Sequence, residues 1–325
     1  MSGTPKSRKS TYFSMGSNRT TVTVRLPFWK FQSIGNDFPL VHLADLRDLL
    51  ARGAAERALV QDDHAAECFV APDAGATDLD GLLMRLAVAM ADRRLGVGGD
   101  GLLAAERMGE DRVLLRMFNP DGTEDFCGNG LRCAAVHAHR MGWVGESFEI
   151  EHLGRVVPVR LGGGEVTTRL GGATYDPLRV PVKGPEIFRA PLPGGRIGSA
   201  LSTGTTHTIL PVDELPDDAT FLRESPALET AEIFPDRTSV IWTHALAPDH
   251  LRLRIWERGV GETQGCGTGS TAAAVDHLRA LGRGGRVRVD NPGGTLFVAW
   301  DDKANETEVE GMAELAYTGE YRYEM

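Results

Sequence analysis

The feature of this sequence that most constrains its fold is an internal repeat. The stretch DFCGNGLRC (125–133) places Cys127 among glycines and an asparagine, and TQGCGTGSTAAAV (263–275) places Cys266 in the same setting. When the two cysteines are aligned, the helical pattern LRCAAVHAHRMG falls opposite STAAAVDHLRALG, and the alternating patterns FEIEHLGRVVPVRL and VRVDNPGGTLFVAW also match. One structural unit is therefore predicted to occur twice.

Each copy of the repeat has enough alternating strands to build its own core around one helix. The predicted fold class is α+β, with two pseudo-symmetric domains, each a curved and mostly antiparallel sheet around a central helix, and an active-site cleft between them. The proline-rich stretch 176–186 marks the crossover. We predict a disordered extension over 1–25, a first domain over 26–175 that is joined by a C-terminal strand over 314–325, and a second domain over 176–313.

Local patterns predict several elements of the first half. Alternation predicts strands over 22–31 and, in FPLVHLADL, over 38–46, and helical spacing predicts a helix over 78–96. After Cys127 a further helix is expected to run to about Met141.

Composition and charge argue against several classes of function. The content of 42% hydrophobic and 25% charged residues is typical of a globular protein. The net charge of -10, with the two signs intermixed, offers no basic surface for nucleic acid. No apolar run approaches the roughly 20 residues of a membrane span, and no signal peptide is recognisable. We predict a cytoplasmic protein with neither a membrane nor a nucleic-acid partner, and a fold compatible with a homodimer.

The four cysteines are too few and too scattered for a disulfide framework. Their spacing does not match a zinc site, so we predict no bound metal. Cys68 and Cys133 are expected to be packing residues, and His137 and His139 to belong to the face of a helix.

Cys127 and Cys266 share a position that favours negative charge. Each stands at the first turn of a predicted helix, where unpaired backbone N–H groups and the positive end of the helix dipole attract anions. We therefore expect a lowered pKa for both thiols and a backbone cradle for a carboxylate beside them. If an approximate twofold axis relates the halves, both helix N-termini point into one cleft.

A thiol on either side of a bound anion suits the inversion of a stereocentre. Inversion by proton transfer needs a base on one face of the carbon and an acid on the other. The charge of the carbanion spreads into the adjacent carboxylate, which two helix N-termini would stabilise. A cysteine before glycine is often only a small buried residue, but duplication in register favours the functional interpretation. The sequence thus predicts an amino-acid racemase or epimerase without pyridoxal phosphate or another cofactor.

From Phe28 onward the sequence resembles the diaminopimelate epimerases, the cofactor-independent two-cysteine amino-acid epimerases. The matching stretches are KFQSIGNDF, DRRLGVGGDGLL, FNPDGTEDFCGNGLRC, WERGVGETQGCGTGSTAAAV and NPGGTLFVAW. The resemblance implies two pseudo-symmetric α+β domains that close over a small amino-acid substrate, with Cys127 and Cys266 as the acid/base pair.

The resemblance also implies substrate contacts. The positions that match the cradle of the reacting α-carboxylate are Gly128, Asn129, Gly267 and Thr268. The positions that match contacts to the amino groups and distal end of the substrate are Asn36, Asn119, Glu257 and Arg258. Without the resemblance, the two asparagines would be read as turn residues and the charged pair as solvated.

Two substitutions and one spacing depart from the family pattern. Thr205 and Ser239 stand where asparagines are expected to contact the distal end of the substrate, and the segment between Asn119 and Cys127 is one residue shorter than usual. A hydroxyl has a shorter reach and fewer donors than an amide. We therefore hypothesise that the α-carbon chemistry is retained and that the substrate is an amino acid with a different side chain. The alternative is an ordinary diaminopimelate epimerase of lysine and peptidoglycan biosynthesis.

Other classes of protein stay open at this point. A proline-racemase-like enzyme or an isomerase of the same fold is disfavoured by FCGNG together with GCGTG. A thiol redox protein would join Cys127 and Cys266 in a disulfide, and a noncatalytic binding module would only retain the cleft. The glycines of GVGGDG (96–101) follow a helix and precede no Lys-Ser/Thr, which argues against a nucleotide site.

Overall fold

The computed structural model describes residues 23–61 and 78–324 of the chain. Cys68 and most of the predicted extension over 1–25 lie outside the described residues. The elements before the crossover are β1 (Thr23–Ser33), β2 (Asn36–His42), α1 (Leu43–Gln61), α2 (Leu79–Ala91), β3 (Leu102–Arg107), β4 (Arg112–Phe118), α3 (Gly128–Arg140), β5 (Ser147–His152), β6 (Arg155–Gly162) and β7 (Glu165–Gly171). The elements after it are β8 (Ala190–Pro191), β9 (Ile197–Ser202), β10 (Thr206–Val212), α4 (Asp218–Glu229), β11 (Ser239–Ala247), β12 (His250–Glu257), β13 (Gly261–Thr263), α5 (Gly267–Ala280), β14 (Gly285–Asn291), β15 (Gly294–Asp301), β16 (Glu306–Gly311) and β17 (Glu314–Glu324).

The two halves repeat the same strand pattern, which confirms the predicted α+β fold. In the first half β2 pairs with β3 and β4 pairs with β5 in parallel, while the hairpins β3–β4, β5–β6 and β6–β7 are antiparallel. In the second half β10 pairs with β11 and β12 pairs with β14 in parallel, and the corresponding hairpins β11–β12, β14–β15 and β15–β16 are antiparallel. The parallel pairs need crossovers, which α2 and α3 supply in one half and α4 and α5 in the other.

A helix with small side chains fills the centre of each half. The runs of alanine in α3 and α5 let the curved sheet approach the helix closely, so both helices are buried on most sides. Around α3 the core includes Phe31, Leu103, Leu115, Ile150 and Val159. Around α5 it includes Ile209, Ile241, Leu253, Val289 and Val298. Cys133 is fully buried in the first of these cores, as expected for a packing residue. Because both helices are immobilised along their length, their N-termini are held in fixed positions.

The halves are joined by a seam between two strands and by the return of β17 to the first half. β7 pairs with β16 across the seam. β8, which follows the first repeat, pairs with β9 at the start of the second, and β17, which follows the second repeat, pairs with β1 at the start of the first. The exact division into domains over 26–175 and 176–313 stays a prediction.

The predicted strand over 38–46 is partly wrong. β2 ends at His42, and the chain then enters α1 at Leu43. Leu43, Leu46 and Leu49 are all buried. Their spacing of three residues places them on one side of a helix, and this period overrides the short alternation before it.

The predicted helix over 78–96 also ends early. α2 runs from Leu79 to Ala91, because the Asp92 carboxylate accepts hydrogen bonds from the backbone N–H groups of Arg94 at 2.7 Å and Leu95 at 2.8 Å. These bonds offer the backbone a turn in place of another helical turn.

Candidate active site

Both repeated cysteines are the N-cap residues of the central helices. Cys127 precedes α3 with φ -132 and ψ 108, and Cys266 precedes α5 with φ -135 and ψ 112. The Cys127 Sγ accepts a hydrogen bond from the Gly130 N–H at 3.2 Å, and the Cys266 Sγ accepts one from the Gly269 N–H at 3.3 Å. The sulfur thus takes the part that a serine or aspartate oxygen plays at other helix N-termini, and the repeat gives the two thiols the same local geometry.

The second glycine of each motif is required by close packing. A Cβ at Gly130 would lie 2.9 Å from Leu103 Cδ2, and a Cβ at Gly269 would lie 2.9 Å from Ile241 Cδ1. Leu103 and Ile241 belong to β3 and β11, which are equivalent strands. Glycine therefore lets the first turn of each helix approach the sheet and direct its N–H toward sulfur.

The two helix N-termini meet at one cavity. A Cβ built at Gly267 would lie 3.7 Å from Gly128 Cα and 3.5 Å from Asn129 Oδ1. The cavity between the halves has a volume of about 610 Å³. The structure brings all the predicted site residues to its wall: Asn36, Asn119, Cys127, Gly128, Asn129, Thr205, Ser239, Glu257, Arg258, Cys266, Gly267 and Thr268. Their individual roles stay predictions.

A chain of side-chain amides forms the wall of the first half. Asn129 donates from Nδ2 to Asn36 Oδ1 at 2.8 Å, and Asn36 donates from Nδ2 to Asp100 Oδ2 at 3.2 Å. Arg132 donates to Asn129 Oδ1 and, from Nε, to Ser33 Oγ at 3.0 Å. Since an arginine can only donate and a carboxylate can only accept, the two ends of the chain fix the orientation of both amides.

Hydroxyl groups dominate the wall of the second half. Thr205 Oγ1 donates to Thr268 Oγ1 at 3.1 Å and lies 2.9 Å from His207 Nε2. Ser239 Oγ accepts the backbone N–H of Arg258 at 3.1 Å. The two residues that depart from the family pattern are therefore held by neighbouring side chains and backbone of the same wall.

Glu257 is a half-buried carboxyl next to Cys266. Its Oε1 accepts the Thr263 hydroxyl at 2.6 Å. Burial raises the pKa of Glu257, while its hydrogen bonds with Thr263 and Cys266 lower it. A carboxyl group whose pKa is raised and that contacts a thiol can exchange a proton with that thiol.

The expectation of a lowered pKa for both thiols is wrong. Burial raises the pKa of Cys127 to about 11, against the opposing effect of the Gly130 N–H. Burial and the charge of Glu257 raise the pKa of Cys266 above its ordinary value. The helix terminus acts in the predicted direction, but removal of the thiolate from water is the larger effect.

Sequence reasoning missed several groups at the site. Asp100 lies in the glycine-rich loop and lines the cavity. His152 is fully buried and accepts the backbone N–H of Cys127 at Nε2, 3.1 Å away. Arg132 is also fully buried, and burial lowers its pKa to about 10. The aligned repeat contained one signal for the last two residues, because each differs in type from its counterpart. His152 is aligned with Asn291, and Arg132 is aligned with Thr271.

Comparisons with known proteins decide the family. The diaminopimelate epimerase of Desulforudis audaxviator is 36% identical over 247 residues, which cover 73% of this chain and 88% of the relative. The chain belongs to the diaminopimelate epimerase family. The diaminopimelate epimerase of Microcystis aeruginosa is 31% identical over 313 residues, which cover 92% of this chain and 99% of the relative. The family model named "Diaminopimelate epimerase" matches residues 199–320. As a member of this family the chain is an isomerase of the racemase and epimerase type.

Several solved structures have a fold similar to that of this diaminopimelate epimerase family member. A PhzF-family phenazine biosynthesis protein of Bacillus anthracis has a TM-score of 0.57 at 17% identity, covering 91% of this chain and 99% of its own. A hydroxyproline epimerase from Agrobacterium vitis, solved with bound trans-4-hydroxy-L-proline, has a TM-score of 0.57 at 11% identity, covering 92% and 91%. At such low identities the comparison concerns the fold alone. Among the helices of 23–61 and 78–324, none is long and apolar enough to cross a membrane.

Proposed function

We propose that this protein epimerises diaminopimelate by proton transfer between Cys127, Cys266 and the α-carbon. The observation that carries the proposal is the pair of cysteine-capped helices whose N-termini meet at one cavity. The geometry gives each thiol access to the same space from a different half of the molecule. No step of such a reaction needs an organic electron sink if the carboxylate is stabilised by the helix termini.

In the proposed reaction one cysteine enters as thiolate and removes the α-proton, while the other enters as thiol and delivers its proton to the opposite face. The protonation states of the pair are then exchanged, so the enzyme is ready for the reverse direction. Glu257 supports this cycle at Cys266, because its carboxyl can accept the thiol proton within a hydrogen bond. The N–H groups at the start of α3 and α5 would hold the α-carboxylate as negative charge develops on it.

The relatives favour diaminopimelate over a different amino acid as the substrate. Those at 31% and 36% identity both carry the name diaminopimelate epimerase. Thr205 and Ser239, which suggested an altered substrate, use their hydroxyls within the wall itself. This supports their interpretation as tolerated variations, and the substrate hypothesis that we now favour is the ordinary one.

The decisive experiment follows the α-proton of diaminopimelate by NMR in deuterium oxide, with reduced protein and no added cofactor. We expect exchange together with stereoinversion. Cys127→Ala and Cys266→Ala should each abolish inversion, although a variant with one thiol left can still exchange the proton of one enantiomer.

Cys133→Ala is the matched control, because it removes a thiol from α3 that packs in the core. It should retain inversion. Full inversion by both active-site variants would exclude the two-base mechanism. Exchange of the α-proton of another amino acid, but not of diaminopimelate, would instead support the altered-substrate hypothesis.

A further inference from the structure

Thr205 lies within a row of polar side chains that leads to Cys266. His207 Nε2 is 2.9 Å from Thr205 Oγ1, Thr205 Oγ1 donates to Thr268 Oγ1 at 3.1 Å, and Thr268 Oγ1 is 3.5 Å from Cys266 Sγ. Both neighbours of Thr205 in the row are shielded from solvent, since His207 is 1% exposed and Thr268 is 7% exposed, while Thr205 itself is half-buried. Polar contacts in such surroundings are stronger than the same contacts in water.

Counting protons gives this row a single direction. The one hydroxyl proton of Thr205 is directed to Thr268, so His207 Nε2 must donate to Thr205. The proton of Thr268 then remains for Cys266, and a thiolate can only accept it. Burial and the charge of Arg258 lower the pKa of His207 to about 3, so its ring is neutral and has one N–H, as this direction requires.

In the part of the other half that the structure describes, there is no equivalent row. Asn129 occupies the position on α3 that Thr268 occupies on α5, two residues after the cysteine. Its amide is bonded to Asn36, Arg132 and the backbone of Gly265. Among the described residues, no side chain donates a hydrogen bond to Cys127 Sγ, which receives the backbone N–H of Gly130. The two halves therefore differ in the side chains that contact sulfur: Cys266 has a threonine hydroxyl beside it, and Cys127 has no such group among the described residues.

We propose that Thr205 is a positioning residue that directs the Thr268 hydroxyl onto Cys266 and so favours the negative charge on that one sulfur. The proposal deepens the proposed function, on which its kinetic consequence rests. It gives Thr205 a role in the proton transfer, where the sequence suggested a contact with the distal end of the substrate.

The test compares Thr205→Val, which removes the hydroxyl at nearly constant shape, with Thr205→Ser, which keeps it. The first readout is the rate at which iodoacetamide alkylates Cys266 relative to Cys127, measured by peptide mass spectrometry at one fixed pH. A hydrogen bond to a charged group is strong enough that we expect about a tenfold fall in this ratio for Thr205→Val. Thr205→Ser should keep the ratio of the unmodified protein.

Thr203→Val is the matched structural control. Thr203 Oγ1 donates to the backbone carbonyl of Thr268 at 2.9 Å. The variant therefore removes a hydrogen bond to the backbone of Thr268 and leaves the bond between the hydroxyls of Thr205 and Thr268 in place. We expect the alkylation ratio to stay unchanged. An equal fall in Thr203→Val and Thr205→Val, or in Thr205→Ser and Thr205→Val, would overturn the proposal, as would an unchanged ratio in Thr205→Val.

Kinetics separate this role from a distal substrate contact. With diaminopimelate, Thr205→Val should lower kcat about tenfold with little change in KM, whereas loss of a distal contact would chiefly raise KM. The alkylation ratio is measured without substrate. A protein that does not turn over diaminopimelate but shows the shifted ratio would refute the proposed function and support the role of Thr205.

Discussion

Gly128 and Gly267 face each other where the two central helices begin, and a Cβ at Gly128 would lie 3.8 Å from Gly267 Cα. This is ordinary van der Waals separation, so the fold itself would tolerate a methyl group at either position. Both residues line the cavity, next to the N–H groups that we assign to the α-carboxylate.

Replacement of Gly128 or Gly267 by alanine is expected to impair binding without unfolding the protein. The added methyl occupies space at the helix termini, and we expect KM for diaminopimelate to rise about tenfold, the equivalent of ~1.4 kcal/mol. Steady-state kinetics give KM, and urea unfolding should show an unchanged midpoint. Unaltered KM in both variants would argue against a carboxylate at this place.

The neighbouring glycines should behave in the opposite manner. A Cβ at Gly130 or Gly269 would press on Leu103 or Ile241 at 2.9 Å. Overpacking costs about 1–3 kcal/mol, against a gain of about 1 kcal/mol from the helix propensity of alanine. We expect alanine to lower the free energy of unfolding by up to about 2 kcal/mol in urea titrations. Gly109→Ala, with none of the described residues within 4 Å of the added Cβ, is the control that should be neutral.

The raised pKa of Cys127 predicts alkylation kinetics that differ from those of a free thiol. A pKa of about 11 means that the thiol keeps its proton through neutral pH and that its thiolate fraction still grows with pH above 10. An ordinary cysteine is close to its plateau at that pH, because its pKa is about 8.5. Peptide mapping after pulses of iodoacetamide at increasing pH measures the rate, with the unfolded protein as reference. A plateau for Cys127 at the same pH as in the unfolded chain would contradict this expectation.

Glu257→Gln should separate thiol reactivity from turnover. Removing the negative charge lowers the pKa of Cys266, so its alkylation at fixed pH should become faster. Epimerisation should nevertheless slow by about 10²–10⁴, the usual contribution of a general acid or base. Glu262→Gln is the control, because Glu262 forms an ion pair with Arg254 and is not one of the residues that line the cavity. A parallel fall of both rates in Glu257→Gln would show that the carboxyl serves only to keep the site folded.

Much of the architecture was predictable because the repeat compares the chain with itself. Aligning Cys127 with Cys266 predicts two central helices, and the residues that resemble the family's substrate contacts all line one cavity. The pKa of each thiol was not predictable, because it depends on burial and on charges that are distant in the chain, among them the charge of Glu257, which raises the pKa of Cys127. The start of α1 within an alternating pattern was missed for a related reason, since the leucines that decide it are buried against α2 and β3.

The return of β17 to the first half has a consequence for how the chain can be divided. β17 follows the second repeat but pairs with β1, and β7 and β16 form the seam between the halves. A break in the connection over 172–189 would leave two fragments, and the second fragment would carry the strand that completes the sheet edge at β1 of the first. Such fragments should reassemble as a two-chain complex when they are expressed together.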